Sequence, residues 1–214
     1  MFPLRAPPRR GFFYITPSSA KARTENVLRV GPFVNIVLGE RVERAVKRTP
    51  EERAFSLVSK CKTLMLATAD KDGWPTVSYA PYVKYWDSYY IYTSALSRHT
   101  QDLLATLKAS IMFIEDEEHA SNIFARKRYT CSCEVMIVGQ YSDEWVNVLH
   151  CFEKKFGGVF DLIRPLGDFT LFRLDPSAGR YVEGFGRAYH VDADMRSSEH
   201  VSIDRNTTDK TQSE

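Results

Sequence analysis

The chain has 214 residues, 43% of them hydrophobic, and a formal net charge of +2. That length supports one sizeable core with tails, and the near-balanced charge argues against a dedicated nucleic-acid binder, whose affinity rests on a strong basic excess. No apolar run approaches the ~20 residues of a membrane-spanning helix, so the sequence predicts a globular body without a membrane span.

Residues 1–48 read as an N-terminal extension, partly disordered. Pro3, Pro7, Pro8 and Pro17 break any helix, and Arg5, Arg9, Arg10, Lys21 and Arg23 all precede the first acid, Glu25. A basic, acid-poor composition of this kind fits an organelle transit peptide, a disordered leader or a wrongly chosen start codon. Cytoplasmic localisation is the expectation, with organelle targeting as the alternative. Gly31–Leu38 is apolar but short, suited to an edge strand or to packing on a partner subunit.

Residues 49–191 carry the folded domain. Thr49-Pro50-Glu51-Glu52 predicts a helix start with a capping box, the helix running to Lys60 with Phe55 and Val58 inward. Strands follow at Thr63–Thr68, Thr76–Lys84 and Tyr89–Ser94, the first two joined through the Asp72-Gly73 turn. Pro81 marks an edge position or a bulge, because it cannot donate to a ladder. Ser97-Arg98-His99, a polar and basic triplet, opens a helix over Gln101–Leu107, and a fourth strand spans Ser110–Glu115. Glu117–Ala125 reads as a short helix carrying His119. Arg126-Lys127-Arg128 opens a strand continuing through Tyr129–Gln140, and Ser142 caps a helix from Glu144 to Phe156 that Gly157-Gly158 stops. Phe160–Ile163 is a short turn, Asp168 begins a strand over Phe169–Leu174, and Gly179 sits at a turn before the last strands, Arg180–Val191. Residues 192–214 lack periodicity and read as a flexible tail.

Cys61, Cys131, Cys133 and Cys151 have neither zinc spacing nor the Cys-x-x-Cys pattern of redox sites, and read as reduced thiols. The aromatic-rich run from Tyr79 to Tyr92 suits barrel packing and equally suits the lining of a planar cofactor pocket.

Several segments match one family in order. They are Leu66-Ala67-Thr68, Val77-Ser78-Tyr79-Ala80-Pro81, Ser97-Arg98-His99, Phe124-Ala125-Arg126-Lys127-Arg128, Asp168-Phe169-x-Leu171-Phe172-Arg173-Leu174 and Gly184-Phe185-Gly186-x-Ala188-Tyr189. Over roughly residues 50–192 the chain resembles the haem-utilisation proteins of HugZ/HutZ type, within the pyridoxamine 5′-phosphate oxidase-like split-barrel superfamily. The resemblance implies a six-stranded split β-barrel with flanking helices, forming a homodimer with cofactor sites at the subunit interface. It implies haem binding and oxidative haem degradation with O2 and an external electron donor. An FMN-dependent oxidoreductase and a non-catalytic haem- or flavin-binding protein are the alternatives.

The resemblance also implies roles. In flavin-binding relatives a Ser-Arg-Lys helix start holds the FMN phosphate; here Ser97 and Arg98 fit and His99 replaces the lysine. The basic positions of the second strand fall near Val77 and Tyr82, which cannot neutralise a phosphate. In haem-degrading relatives a tail histidine bonds the iron and an aspartate of the neighbouring subunit orients it; by position that aspartate is Asp168. Arg128, with Arg126 beside it, is the expected propionate contact, because a guanidinium suits a carboxylate in forked geometry. The relatives carry Gly-His-Arg in the tail and this chain does not, which leaves His200 as the nearest candidate iron ligand. Plain alternatives stand beside these roles: a solvated basic strand end for Arg126–Arg128, a turn cap for Asp168 and a solvated tail residue for His200.

Overall fold

A computed structural model describes residues 48–201. The basic N-terminal extension, the Gly31–Leu38 segment and the tail beyond Val201 lie outside the described residues.

Helix α1 (Pro50–Lys60) starts with the predicted capping box: the Thr49 N–H donates to Glu52 Oε2 at 2.9 Å, and the Glu52 N–H donates to the Thr49 hydroxyl at 3.4 Å. Each bond satisfies a backbone or side-chain group that the first helical turn leaves open. Val58 faces the core as expected, but Ala54 joins it in place of Phe55, which is exposed beneath the Lys84 ammonium.

Six antiparallel strands then close on themselves: β1 (Thr63–Ala69), β2 (Pro75–Tyr85), β3 (Ser88–Ser94), β4 (Lys108–Ile114), β5 (Arg128–Ile137) and β6 (Phe169–Gly184). They run in the order β3-β2-β1-β4-β5-β6, and pairing of β3 with β6 completes the barrel, removing the free sheet edges. The β1–β2 turn is fixed by Asp70, whose Oδ1 accepts from the Asp72 and Trp74 N–H groups at 2.9 Å each. Pro81 stands where β2 changes partners: residues up to Pro81 pair with β1, and Tyr82 onward pairs with β3. Its missing donor falls at a changeover, so the ladder loses little.

Three further sequence expectations are corrected. Glu117–Ala125 is not one helix but two single 3-10 turns, Glu117–His119 and Ile123–Ala125, separated at Ser121-Asn122, where the Asn122 side chain accepts from the Phe124 N–H. The expected break at Gly179 is also absent, because β6 runs unbroken from Phe169 to Gly184. Its turn-like residues are absorbed as a bulge: Cys131 pairs with Gly179 and Cys133 with Pro176, so Ser177 and Ala178 together oppose Ser132. Glycine is required at 179, since a Cβ there would lie 2.5 Å from the Tyr129 ring. The true reversal is at Phe185-Gly186. Beyond it β7 (Arg187–Val191) and β8 (Ser198–His200) add to the open side of β6, so a strand stands where tail was expected.

The barrel interior is filled by Leu64, Leu66, Tyr82, Tyr89, Ile91, Ile111, Phe113, Tyr129 and Phe172, with edge-on aromatic contacts such as Tyr82–Phe113 at 5.0 Å. Helices α1 and α2 (Arg98–Thr106) contribute Val58 and Leu103 to this core. A second cluster forms outside the barrel, where α3 (Asp143–Phe156) and α4 (Gly158–Ile163) set Val148, Leu149, Phe152 and Phe160 against Tyr90, Tyr92 and Leu171. The four cysteines are free thiols. Among the described residues no helix is long and apolar enough to cross a membrane.

Candidate functional site: two basic corners and an apolar sheet face

Ser97 stands at the N-cap of α2 but its hydroxyl makes no cap bond. The Arg98 guanidinium lies between two carboxylates, with Nη2 2.7 Å from Asp70 Oδ2 and Nε 3.0 Å from Asp102 Oδ1. Asp102 is buried and also accepts from the Thr68 hydroxyl at 2.8 Å. Burial alone would raise the Asp102 pKa, but hydrogen bonds from Thr68 and Thr76 and the Arg98 charge outweigh it and hold the carboxyl below its ordinary value. The His99 Nε2 is buried without a partner; burial pushes this ring's pKa down, against the pull of Asp102. This corner therefore ties the β1–β2 turn to α2, and its one cation is already balanced.

The second region is the outer face of β2-β1-β4-β5. Because directly opposed residues share a face, the register places Tyr79, Met65, Met112 and Thr130 in one row, and Val77, Ala67 and Ser110 in the next. Val77 is 74% and Tyr79 65% exposed. A broad surface of apolar and small side chains is characteristic of a binding or subunit interface. Arg128 stands on this face opposite Ile114, at the first residue of β5. Its Nη1 donates to the Arg126 carbonyl at 3.3 Å, and it has no carboxylate partner among the described residues.

At the end of this face, between α1 and the start of β5, lies a cavity of about 860 Å³. Met65, Met112 and Ile114 contribute to its lining. Its cations fall into two groups. Arg53 is bound through two nitrogens to Glu183 at 2.6 and 2.8 Å; Arg126 donates to Glu117 at 2.8 Å and to the Glu115 carbonyl; Lys127 pairs with Glu115 at 3.1 Å. Burial opposes ionisation of Glu115, but the Lys127 hydrogen bonds and charge prevail and keep its pKa low. Arg48, Lys60 and Lys62 line the same cavity and have no carboxylate partner among the described residues. Tyr181 also reaches the cavity; burial first, then Glu183, pushes its phenol up to about 12, so it remains a neutral hydroxyl there.

The remaining predicted residues lie apart from one another. Asp168 is exposed just before β6; its Oδ2 accepts from the Ser94 hydroxyl at 2.5 Å, and its carbonyl accepts from the Ala95 N–H at 2.8 Å. His200 is on edge strand β8, its ring edge-on to Tyr189 and its Nε2 3.1 Å from the Gly186 carbonyl. His200 pairs with Tyr189, which in turn faces Tyr181. About 40 Å of extended strand, at ~3.3 Å per residue, runs from there to Phe169. Asp168 and His200 of one chain therefore do not meet. Sequence reasoning missed the cavity cations Arg48, Lys60 and Lys62, which only the packing of α1 over β1 brings together. The available signal was a cluster of cations at both ends of one short helix.

A closed six-stranded barrel with helices at its rim and an exposed sheet face defines the split-barrel class. The pyridoxamine 5′-phosphate oxidase family matches residues 49–183, and the chain belongs to that family. Within it the chain falls with the HutZ-type proteins. It is 41% identical over 154 residues to the haem oxygenase HutZ of Vibrio cholerae, covering 72% of this chain and 83% of that one. A crystal structure of HutZ from the same organism superposes with a TM-score of 0.57 at 39% identity, over 58% of this chain and 88% of the other. That of ChuZ from Campylobacter jejuni gives 0.65 at 30% identity, over 71% and 62%.

Proposed function

We propose that this protein binds haem on the outer β2-β1-β4-β5 face and opens the macrocycle oxidatively, using O2 and an external electron donor. The observation that carries the reading is Arg128, a cation without a carboxylate partner among the described residues, on a sheet face that is apolar or small apart from Lys108 and Glu134, opposed at its far end. Haem has the complementary form, a flat apolar ring with two carboxylates at one edge. Met65, Met112 and Tyr79 would exclude water from the ring, while Arg128 fixes its orientation through a charge-assisted bond. The HutZ relative is named a haem oxygenase, which supports the same reading.

The face functions in a homodimer. Val77 and Tyr79 are too exposed for a stable free surface of this size, and a second copy would cover them. In that dimer Asp168 of one protomer would meet a haem held by the other, which is the only way its implied orienting role operates, given its distance from His200.

Haemin titration tests the reading. A Soret band with one haem per chain is expected, followed under ascorbate and O2 by loss of that band and release of iron. Absence of any Soret band sinks the proposal, and a stable band under reductant leaves a binding or storage protein. The family match supports a second reading, an FMN-dependent oxidoreductase. In this chain the Arg98 guanidinium is already held by Asp70 and Asp102, a balance that a phosphate would have to break. Flavin absorbance in the purified protein would establish that reading.

A further inference from the structure

We propose that the exposed cations Arg48, Lys60 and Lys62, around the cavity beside the sheet face, dock the external electron donor, and that this donor is an acidic protein carrying a one-electron redox centre. The inference rests on the haem-binding reading above and names the partner which that reading leaves open.

All three cations line one cavity, and none has a carboxylate partner among the described residues. The chain as a whole is nearly balanced, with 29 lysines and arginines against 27 acids. A concentration of unpaired positive charge is therefore a local feature and not a consequence of composition. Of the carboxylates lining the cavity, Glu115 is held by Lys127, and Asp116 alone has no lysine or arginine partner among the described residues. The balance of free charge around the cavity is positive.

Helix α1 does not account for these cations. Lys60 stands in its last turn, where the helix dipole favours a cation, but Arg48 precedes the N-cap Thr49, where the dipole opposes one. Lys62 lies beyond the C-cap Cys61, outside the helix. The Arg48 carbonyl accepts from the Arg53 guanidinium, which ties down the backbone. Its own guanidinium has only a 3.4 Å bond from Nη1 to the Ser56 hydroxyl, and the residue is exposed.

The position suits electron delivery. Met65 and Met112, which the reading sets against the haem ring, line the same cavity, so a partner seated on the cations meets the haem at its edge. Ferric haem takes one electron to become ferrous, and a reduced [2Fe–2S] cluster gives up one, so the exchange balances with no atom or proton moved. A hydride donor delivers two electrons at once and does not match this step. Exposed cations add little affinity singly, but together they steer an oppositely charged partner to one patch and raise the rate of encounter in a salt-dependent way.

For the test, ferric haem-loaded protein is mixed anaerobically under carbon monoxide with a reduced acidic [2Fe–2S] ferredoxin, or with reduced 5-deazariboflavin as an uncharged probe. The band of the ferrous carbon monoxide complex reads the rate. The wild type is compared with Lys60→Glu/Lys62→Glu and with Arg48→Gln. All three side chains are exposed, and circular dichroism and gel filtration check that fold and assembly are kept. With ferredoxin, we expect the wild-type second-order rate to fall ~10-fold or more between about 50 and about 300 mM KCl. The double reversal should lower that rate ~10–100-fold at low salt and flatten its salt dependence, and Arg48→Gln should lower it ~2–5-fold. Haemin affinity and reduction by deazariboflavin should match the wild type in both variants. A wild-type ferredoxin rate that ignores salt, or one that survives the double reversal, overturns the assignment while leaving haem binding standing. Weaker haemin binding in the lysine variant, with both reductants slowed alike, overturns it as well and gives these cations to the haem. A wild type that binds no haemin overturns the functional reading and this inference with it.

Discussion

The molecule carries two basic corners of opposite character. At the start of α2, Arg98 is surrounded by Asp70 and Asp102, and the charge is spent holding a turn to a helix. At the end of the sheet face, Arg128, Lys60 and Lys62 stand without carboxylate partners among the described residues, beside the exposed Met65. Both corners read as basic motifs in one dimension. The first has its counter-charges built in, whereas the second pairs Arg53, Arg126 and Lys127 and leaves the others without a carboxylate, and an ion pair already satisfied has little left to offer an incoming anion. Counting partners, not cations, separates scaffold from site.

The largest effect should come from breaking the satisfied corner. Asp102→Ala removes a buried carboxylate that serves Thr68 and Arg98, so both partners lose their bond. We expect a loss of roughly 2–3 kcal/mol in chemical denaturation, since leaving buried polar partners unmet costs about that much. Haemin affinity per folded molecule should not change. Weaker binding in a fully folded Asp102→Ala protein would show that this corner belongs to the site after all.

The next contrast sets the two arginines against each other. Arg128→Ala should weaken haemin binding by ~10–100-fold, as expected for a lost charge-assisted bond of about 1.5–3 kcal/mol. Arg98→Gln should change affinity by less than ~2-fold, although it leaves the buried Asp102 carboxylate without its cation and should cost up to roughly 3 kcal/mol of stability. Equal losses from both substitutions would erase the distinction drawn between the corners. A third variant probes the barrel beneath the site: Gly179→Ala should cost ~1–3 kcal/mol by forcing the Tyr129 ring to move.

How far the sequence revealed these features depends on the range of the interactions involved. The strands β1 to β4 are legible because alternation and the Asp-Gly turn are local signals, and Thr49–Glu52 announces α1 by its own side chains. The continuity of β6 was not legible: Asp175-Pro176-Ser177-Ala178-Gly179 has the composition of a turn, and only its pairing with Cys131 and Cys133 turns it into a bulge. The same holds for the sites. Strand position placed Arg128 on the ladder, but the balance at Arg98 depends on Asp70, 28 residues away. Lys60 and Lys62 reach the cavity beside Met65 and Met112 only through the tertiary packing of α1.

The smallest expected effect is a pH dependence that belongs to the scaffold corner alone. Burial depresses the His99 pKa from its ordinary 6.5, so the unfolded chain takes up a proton at a higher pH than the folded one. Stability contributed by neutral His99 is therefore present above about 6.5 and declines as pH falls from there towards the folded-state pKa. Asp102 adds a separate loss further down: its folded pKa lies below 3.8, so its contribution holds above that value and disappears as pH drops through the depressed one. His99→Gln removes the first of these titrations and leaves the second. Denaturation midpoints between pH 7 and 5 should then fall for the wild type and stay flatter for the variant. Parallel slopes for the two proteins would mean that His99 gains a partner in solution, and its buried Nε2 would then have to be counted as part of a site.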